Sequence, residues 1–296
     1  ALKLFLRAPM LWEYLLLCVA AALGGAVNSV AGGGTLLTFP ALFAALGSTA
    51  DAAVLANATS TVALFPGSLA AAWGYRRELA ACRAWLWLLF WPSLLGGAAG
   101  ALLLTRLPAA TFERLIPGLI LGAAVLFAMQ PLVSRWLARR GERARATNGS
   151  PASAEAAPAG LRSTAALPDC ERPASLRHAL FALAFQFLVA LYGGYFGAGI
   201  GILMLAALGL VGLTDIHRMN LLKTLLAAAI NGAAVAMFVA QRKVHWPFAL
   251  AMALAASVGG FAGAHLAQRT PRALVRGLII AIGVALGIYY ALRNTL

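Results

Sequence analysis

The chain has 296 residues, of which 62% are hydrophobic and only 11% charged, with a mean hydropathy of +0.84. Soluble domains carry about 25% charged residues, so this composition excludes a soluble enzyme, and most of the chain is too apolar for disorder. The net charge of +14 comes from 23 Lys and Arg against 9 Asp and Glu. The basic residues sit in short stretches between apolar blocks, a positive-inside pattern and not a nucleic-acid footprint.

Ten apolar blocks follow one another, at 11–31, 34–47, 51–74, 84–105 and 115–137, then 179–197, 200–213, 217–241, 246–267 and 274–292. None alternates apolar with polar residues as a membrane β-strand would, so the expected class is an all-α polytopic membrane protein. Most blocks approach the ~20 residues needed to cross hydrocarbon. The second and seventh are shorter, and each follows a glycine cluster: Gly32, Gly33 and Gly34 in one, Gly197, Gly199 and Gly201 in the other. These two are predicted to be half-helices or re-entrant pieces, tolerated in a membrane only where they line a cavity or lie inside protein. Between the fifth and sixth blocks, 138–178 is rich in Arg, Ala, Pro and Ser. It predicts a flexible cytoplasmic linker. The organisation expected is therefore a first transmembrane repeat at 1–137, the linker at 138–178 and a second repeat at 179–296. The N-terminal apolar run merges into the first block, unlike a cleavable leader.

The halves match each other. A shift of 166 places Gly33 on Gly199, Leu37 on Leu203, Asn57 on Lys223, and Arg76-Arg77 on Arg242-Lys243. A three-residue slip then brings Gly96-Gly97 onto Gly259-Gly260 and Arg106 onto Arg269. Ten crossings would invert the repeats; eight, with each short block sharing a crossing, would leave them parallel. Charge bias does not separate the two, and the five-plus-five inverted arrangement is the one adopted. Both place the 76–83 loop and the linker in the cytoplasm.

Internal repeats with glycine-interrupted hydrophobic segments at corresponding positions point to a secondary transporter and to its substrate site. In the first half, Asn28-Ser29-x-Ala31-Gly32-Gly33-Gly34-Thr35 can aim backbone N–H groups and a helix N-terminus at an anion. Gly197, Gly199 and Gly201 are the counterpart. Close helix packing through small residues is the structural alternative, and it suits Gly24-Gly25 and Gly96 to Gly100 better. Lys223 is the basic residue clearly inside an apolar block, where a charge costs about 2.5–3.5 kcal/mol on insertion scales. An anionic substrate is one partner that would offset this cost; snorkelling to the interface is the alternative. Asn220, Lys223 and Thr224 share a helical face at i, i+3 and i+4, with Asn231 about three turns deeper, and Asn57 faces them from the first repeat. These amides and hydroxyls either replace an oxyanion's water shell or bond neighbouring helices. His265 is the candidate intramembrane proton carrier. Three cysteines give no disulfide framework and no zinc site. No catalytic set, metal site or cofactor site is expected.

Asn28-Ser29-x-Ala31-Gly32-Gly33-Gly34-Thr35-Leu36-Leu37-Thr38-x-Pro40-Ala41-Leu42 resembles the sulfite exporter TauE/SafE family of bacterial permeases. So do Asn220-x-x-Lys223, Asn231, Val244-x-Trp246, Gly259-Gly260-x-x-Gly263-Ala264 and Arg276. The resemblance covers both halves and leaves out the linker. It implies an inner-membrane permease without cofactor or ATPase domain that moves sulfite, sulfonates or related anions, generally outward. The residues themselves imply a small anionic substrate within the lipid bilayer, alternating access and a possible proton coupling through His265. A passive anion channel and a non-transporting membrane scaffold are the alternatives.

Overall fold

A computed structural model describes residues 11–30, 33–47, 51–74, 82–147, 176–211, 213, 215–266 and 272–295. All regular structure among them is helical. In chain order the helices are α1 (Leu11–Val30), α2 (Thr35–Leu46), α3 (Ala52–Gly74), α4 (Arg83–Arg106), α5 (Ala109–Thr147), α6 (Leu176–Tyr195), α7 (Ile200–Leu210), α8 (Ile216–Ala240), α9 (Trp246–Leu266) and α10 (Arg272–Thr295). Each apolar block becomes one helix. Five of them (α1, α3, α4, α5 and α8) are long and apolar enough to cross a membrane. At 12 and 11 residues, α2 and α7 rise only about 16–18 Å, well short of a ~30 Å hydrocarbon layer.

The fifth helix departs from expectation at both ends. α5 runs over 39 residues, from Ala109 to Thr147, so it begins before block five and enters the stretch whose composition predicted a linker. Its first ten residues are mostly Ala and Arg, strong helix formers whatever their polarity. Residues 148–175 lie outside the described residues. Cys18 is a free thiol.

The helices are held by seams between the two halves of the chain. α1 runs parallel to α9. Tyr14 meets Phe248 edge-on at 5.3 Å, Cys18 Sγ lies 3.9 Å from the Ala251 carbonyl oxygen, and Gly25 is pressed so close to Ala256 that a Cβ would strike its carbonyl. α4 runs parallel to α6 in the same manner, with Gly100 against the Leu191 carbonyl and Gly194 against that of Gly97. Lipid tails are as apolar as leucine, so backbone contact of this kind, and not hydrophobic expulsion, binds membrane helices together. Opposite its glycine face, α9 exposes Leu250, Leu254, Val258 and Phe261, the last 73% accessible. That stripe is at home only against lipid. α5 and α10 pair antiparallel: Gly283 is set against Ala124, and Gly287 against Leu121. α3 and α8 meet at Phe65–Gly232 and Ser68–Asn231.

Candidate functional site

The two breaks in the helices converge on one place in α5. A Cβ on Gly33 would strike the Phe127 ring, and one on Gly199 would lie 3.2 Å from Leu126 Cδ1. Adjacent residues of a single helix thus touch both breaks, which brings the two glycine clusters to one level of the bundle.

The breaks are made differently. Gly34 precedes α2 in an ordinary right-handed conformation (φ −55, ψ −32). Its value is closeness, since a Cβ would strike the Gly24 carbonyl and approach Asn28 Cβ at 3.2 Å. In the second half, Gly197 and Gly199 hold φ +84 and +81, a left-handed region that glycine enters without steric cost. Tyr192 Oη donates to the Ala198 carbonyl at 2.7 Å and fixes the turn, after which Gly199 caps α7.

Around the breaks lies buried polar chemistry. Asn57 is 1% exposed, and its Nδ2 donates to the Tyr195 carbonyl at 3.0 Å. This bond ties α3 in the first half of the chain to the end of α6 in the second. Asn57 Oδ1 and Tyr195 Oη are both buried without a hydrogen-bond partner, an unusual condition that marks a place for explanation. The hydroxyls of Thr38 and Ser60 bond each other, and Thr38 also donates to the Gly34 carbonyl at 3.2 Å. Lys223 lies one repeat from Asn57. Its aliphatic stem packs on α7, with Cδ 3.3 Å from where a Gly201 Cβ would sit. Lys223 is seven residues beyond Ile216, the start of α8, about 10 Å of rise, and it makes no ion pair among the described residues.

The remaining predicted residues distribute around this centre. Thr224 donates to the Asn220 carbonyl at 2.8 Å within its own helix. Asn231 Nδ2 donates to Ser68 Oγ at 3.3 Å, the interhelical bond of the packing alternative. Thr35 opens α2 and Asn28 lies in the last turn of α1. Gly32 lies outside the described residues, as do the side chains of Ser29 and His265. Sequence reasoning gave no separate role to Tyr192 and Tyr195, whose signal was their position inside the second glycine motif. It also missed the Thr38–Ser60 pair, whose signal was a pair of hydroxyls in otherwise apolar blocks.

Helices of this length and apolarity, seamed through glycine and interrupted at matched positions, define a polytopic helical membrane protein. A family model, sulfite exporter TauE/SafE, matches residues 17–290. The chain belongs to that family, a family of membrane transporters. It is similar to a probable membrane transporter protein of Haemophilus influenzae, 25% identical over 86% of this chain and 85% of the relative. It is also similar to the probable membrane transporter protein YfcA of Escherichia coli K12, 26% identical over 96% of this chain and 91% of the relative. No solved structure matches the chain.

Proposed function

We propose that the protein is a secondary transporter for a small anion, specifically a sulfur oxyanion or organosulfonate such as sulfite, exported across the bacterial inner membrane by alternating access. The observation that carries this reading is the placement of Lys223. A cation inside a span, without an ion pair among the described residues, packs on the first turn of α7 beside one of two breaks that meet at Leu126 and Phe127. An anion between the breaks would offset its burial and meet the N-terminal ends of α2 and α7, where backbone N–H groups favour negative charge. Tyr195 Oη can donate to such a ligand. Asn57 Oδ1 can accept from a protonated oxygen or an amine on it, which favours a ligand carrying both kinds of group.

The antiparallel pairing of the equivalent helices α5 and α10 supports inverted repeats, because a two-fold axis along the helices would leave them parallel. In this reading one repeat rocks against the other about the anion. The 76–83 loop and the 138–178 linker face the cytoplasm. Proton coupling, with His265 as its candidate carrier, belongs to the same reading.

The test is thermal stabilisation of the purified protein by sulfite, sulfate, thiosulfate, taurine, sulfoacetate, acetate, phosphate and chloride, since a ligand of the native state raises apparent stability by mass action. One sulfur anion is expected to stabilise wild type. Lys223→Ala should weaken its binding by about 1–3 kcal/mol, the worth of a hydrogen bond to a charged group. A stabilisation that Lys223→Ala leaves intact would sink the site.

A further inference from the structure

The far end of α5 carries chemistry that the proposed anion site does not use. α7 approaches α5 at Gly209, where a Cβ would strike Leu137 and lie 2.8 Å from the Trp136 ring. Beside this contact is an outward-facing groove of about 310 Å³, lined by Leu132, Val133, Trp136, Ala206 and Leu210. Its volume is at the small end of the range of ligand sites, about 300–1,000 Å³. Leu132 is 60% and Leu210 48% exposed, so the groove opens on the surface that faces lipid.

Basic residues cap it. The Arg140 guanidinium lies over the Trp136 ring, 5.1 Å from its centroid, and donates from Nη1 to the Gly209 carbonyl at 3.0 Å. It thereby balances the negative end of α7 and still has further N–H donors to offer. Arg139 is exposed one turn beyond the exposed Arg135. Arg139 shares a helical face with Leu132 and Trp136, the residues of the groove. Trp136 stands between the apolar lining and these charges, as tryptophan does at a membrane–water interface. Glu142 lies further out along α5, two residues beyond Arg140.

We infer that this groove binds a phospholipid with an anionic headgroup, one acyl chain along the α5–α7 slot and the phosphate against Arg139 and Arg140, with Arg135 at the rim. The slot alone gives little preference, because an acyl chain leaves one apolar environment for another. The selectivity comes from the charge of the rim and from the match of guanidinium to phosphate. Basic pockets between helices at a membrane surface recognise acidic headgroups in this way.

Native mass spectrometry of the detergent-purified full chain tests the inference, with phosphatidylglycerol, phosphatidylcholine and inorganic phosphate as separate probes. Phosphatidylglycerol adducts are expected at roughly ten-fold lower concentration than phosphatidylcholine adducts, and inorganic phosphate should not compete. The double variant Arg135→Ala/Arg139→Ala should remove most of that preference, weakening phosphatidylglycerol binding by about five- to ten-fold, within the roughly five-fold per arginine expected near a charged surface. It should leave phosphatidylcholine binding unchanged. Both side chains are exposed, and an unaltered melting temperature in phosphatidylcholine would show the fold intact. Arg114→Ala, at the opposite end of α5, should have no effect. Equal binding of the two lipids, or an Arg114→Ala loss as large as that of the double variant, would overturn the site in favour of diffuse surface charge. Competition by inorganic phosphate would overturn it in favour of a free-anion site.

Discussion

Each half of the chain has one break before a short helix, yet the first is made by closeness and the second by backbone conformation. At the first, Gly34 keeps helical angles and serves to admit the Gly24 carbonyl. At the second, Gly197 and Gly199 are left-handed, and Tyr192 anchors the turn. The side chains that face the breaks have diverged as well. Asn57 spends its amide N–H on the Tyr195 carbonyl, whereas Lys223 lays its stem on Gly201. Both halves have an interruption followed by a short helix, while the chemistry beside it is one-sided. In the proposed transport reading, one repeat supplies a neutral, buried anchor and the other supplies charge.

That contrast can be broken by substitution. The largest effect is expected from Gly34→Val, which drives a branched side chain into the Gly24 carbonyl. It should cost about 3 kcal/mol or more, above the usual overpacking range of 1–3 kcal/mol, and be read as a lowered melting temperature or loss of folded protein. Asn57→Leu should destabilise by about 1–3 kcal/mol, because it leaves the buried Tyr195 carbonyl unpaired. A cost near zero in the same melting experiment would remove Asn57 as the anchor between repeats. Gly199→Ala should cost about 1–2 kcal/mol, the penalty of left-handed backbone for a residue with a Cβ. Gly34→Ala should instead fail by collision, so trimming neighbouring side chains will rescue neither it nor Gly199→Ala.

The smallest effect is expected at the α8–α9 turn. His245 accepts from the Phe248 N–H through Nδ1 and packs against that ring with centroids 4.2 Å apart and planes tilted by 35°, and burial holds its pKa below the ordinary imidazole value. The unfolded chain therefore takes up its proton first as pH falls. Stability should be full above about pH 6.5, the ordinary imidazole value, and should decline as pH drops from there toward the lowered folded value. A melting curve series across that window, flatter in His245→Gln than in wild type, would confirm it.

Most helix positions were legible because apolar blocks map directly onto spans. Block 51–74 became Ala52–Gly74, and block 246–267 became Trp246–Leu266. The glycine clusters likewise announced where helices stop. The length of α5 was hidden because its last turns are helical by propensity while carrying arginine, and a hydropathy reading sees only apolarity. Of the candidate site, Lys223 and the glycines stood out by type. The partners of Asn57 and Asn231 did not. Tyr195 and Ser68 lie 138 and 163 residues away in sequence, and no local pattern encodes such a pairing. Gly24, Gly25 and Gly96 could be assigned to packing from the sequence, but the seams they form could not be paired without the structure.

Those seams have a consequence for biogenesis. Cys18 of α1 meets Ala251 of α9 across 233 residues of chain. Synthesis at about 5–20 residues per second means that α1 enters the bilayer roughly 10–50 s before its mate exists. During that interval its bare Gly25 face has only lipid or the insertion machinery to rest on. The exchange is mutual, since the first half's α4 waits for α6 and the second half's α9 completes α1. Neither half closes its own packing.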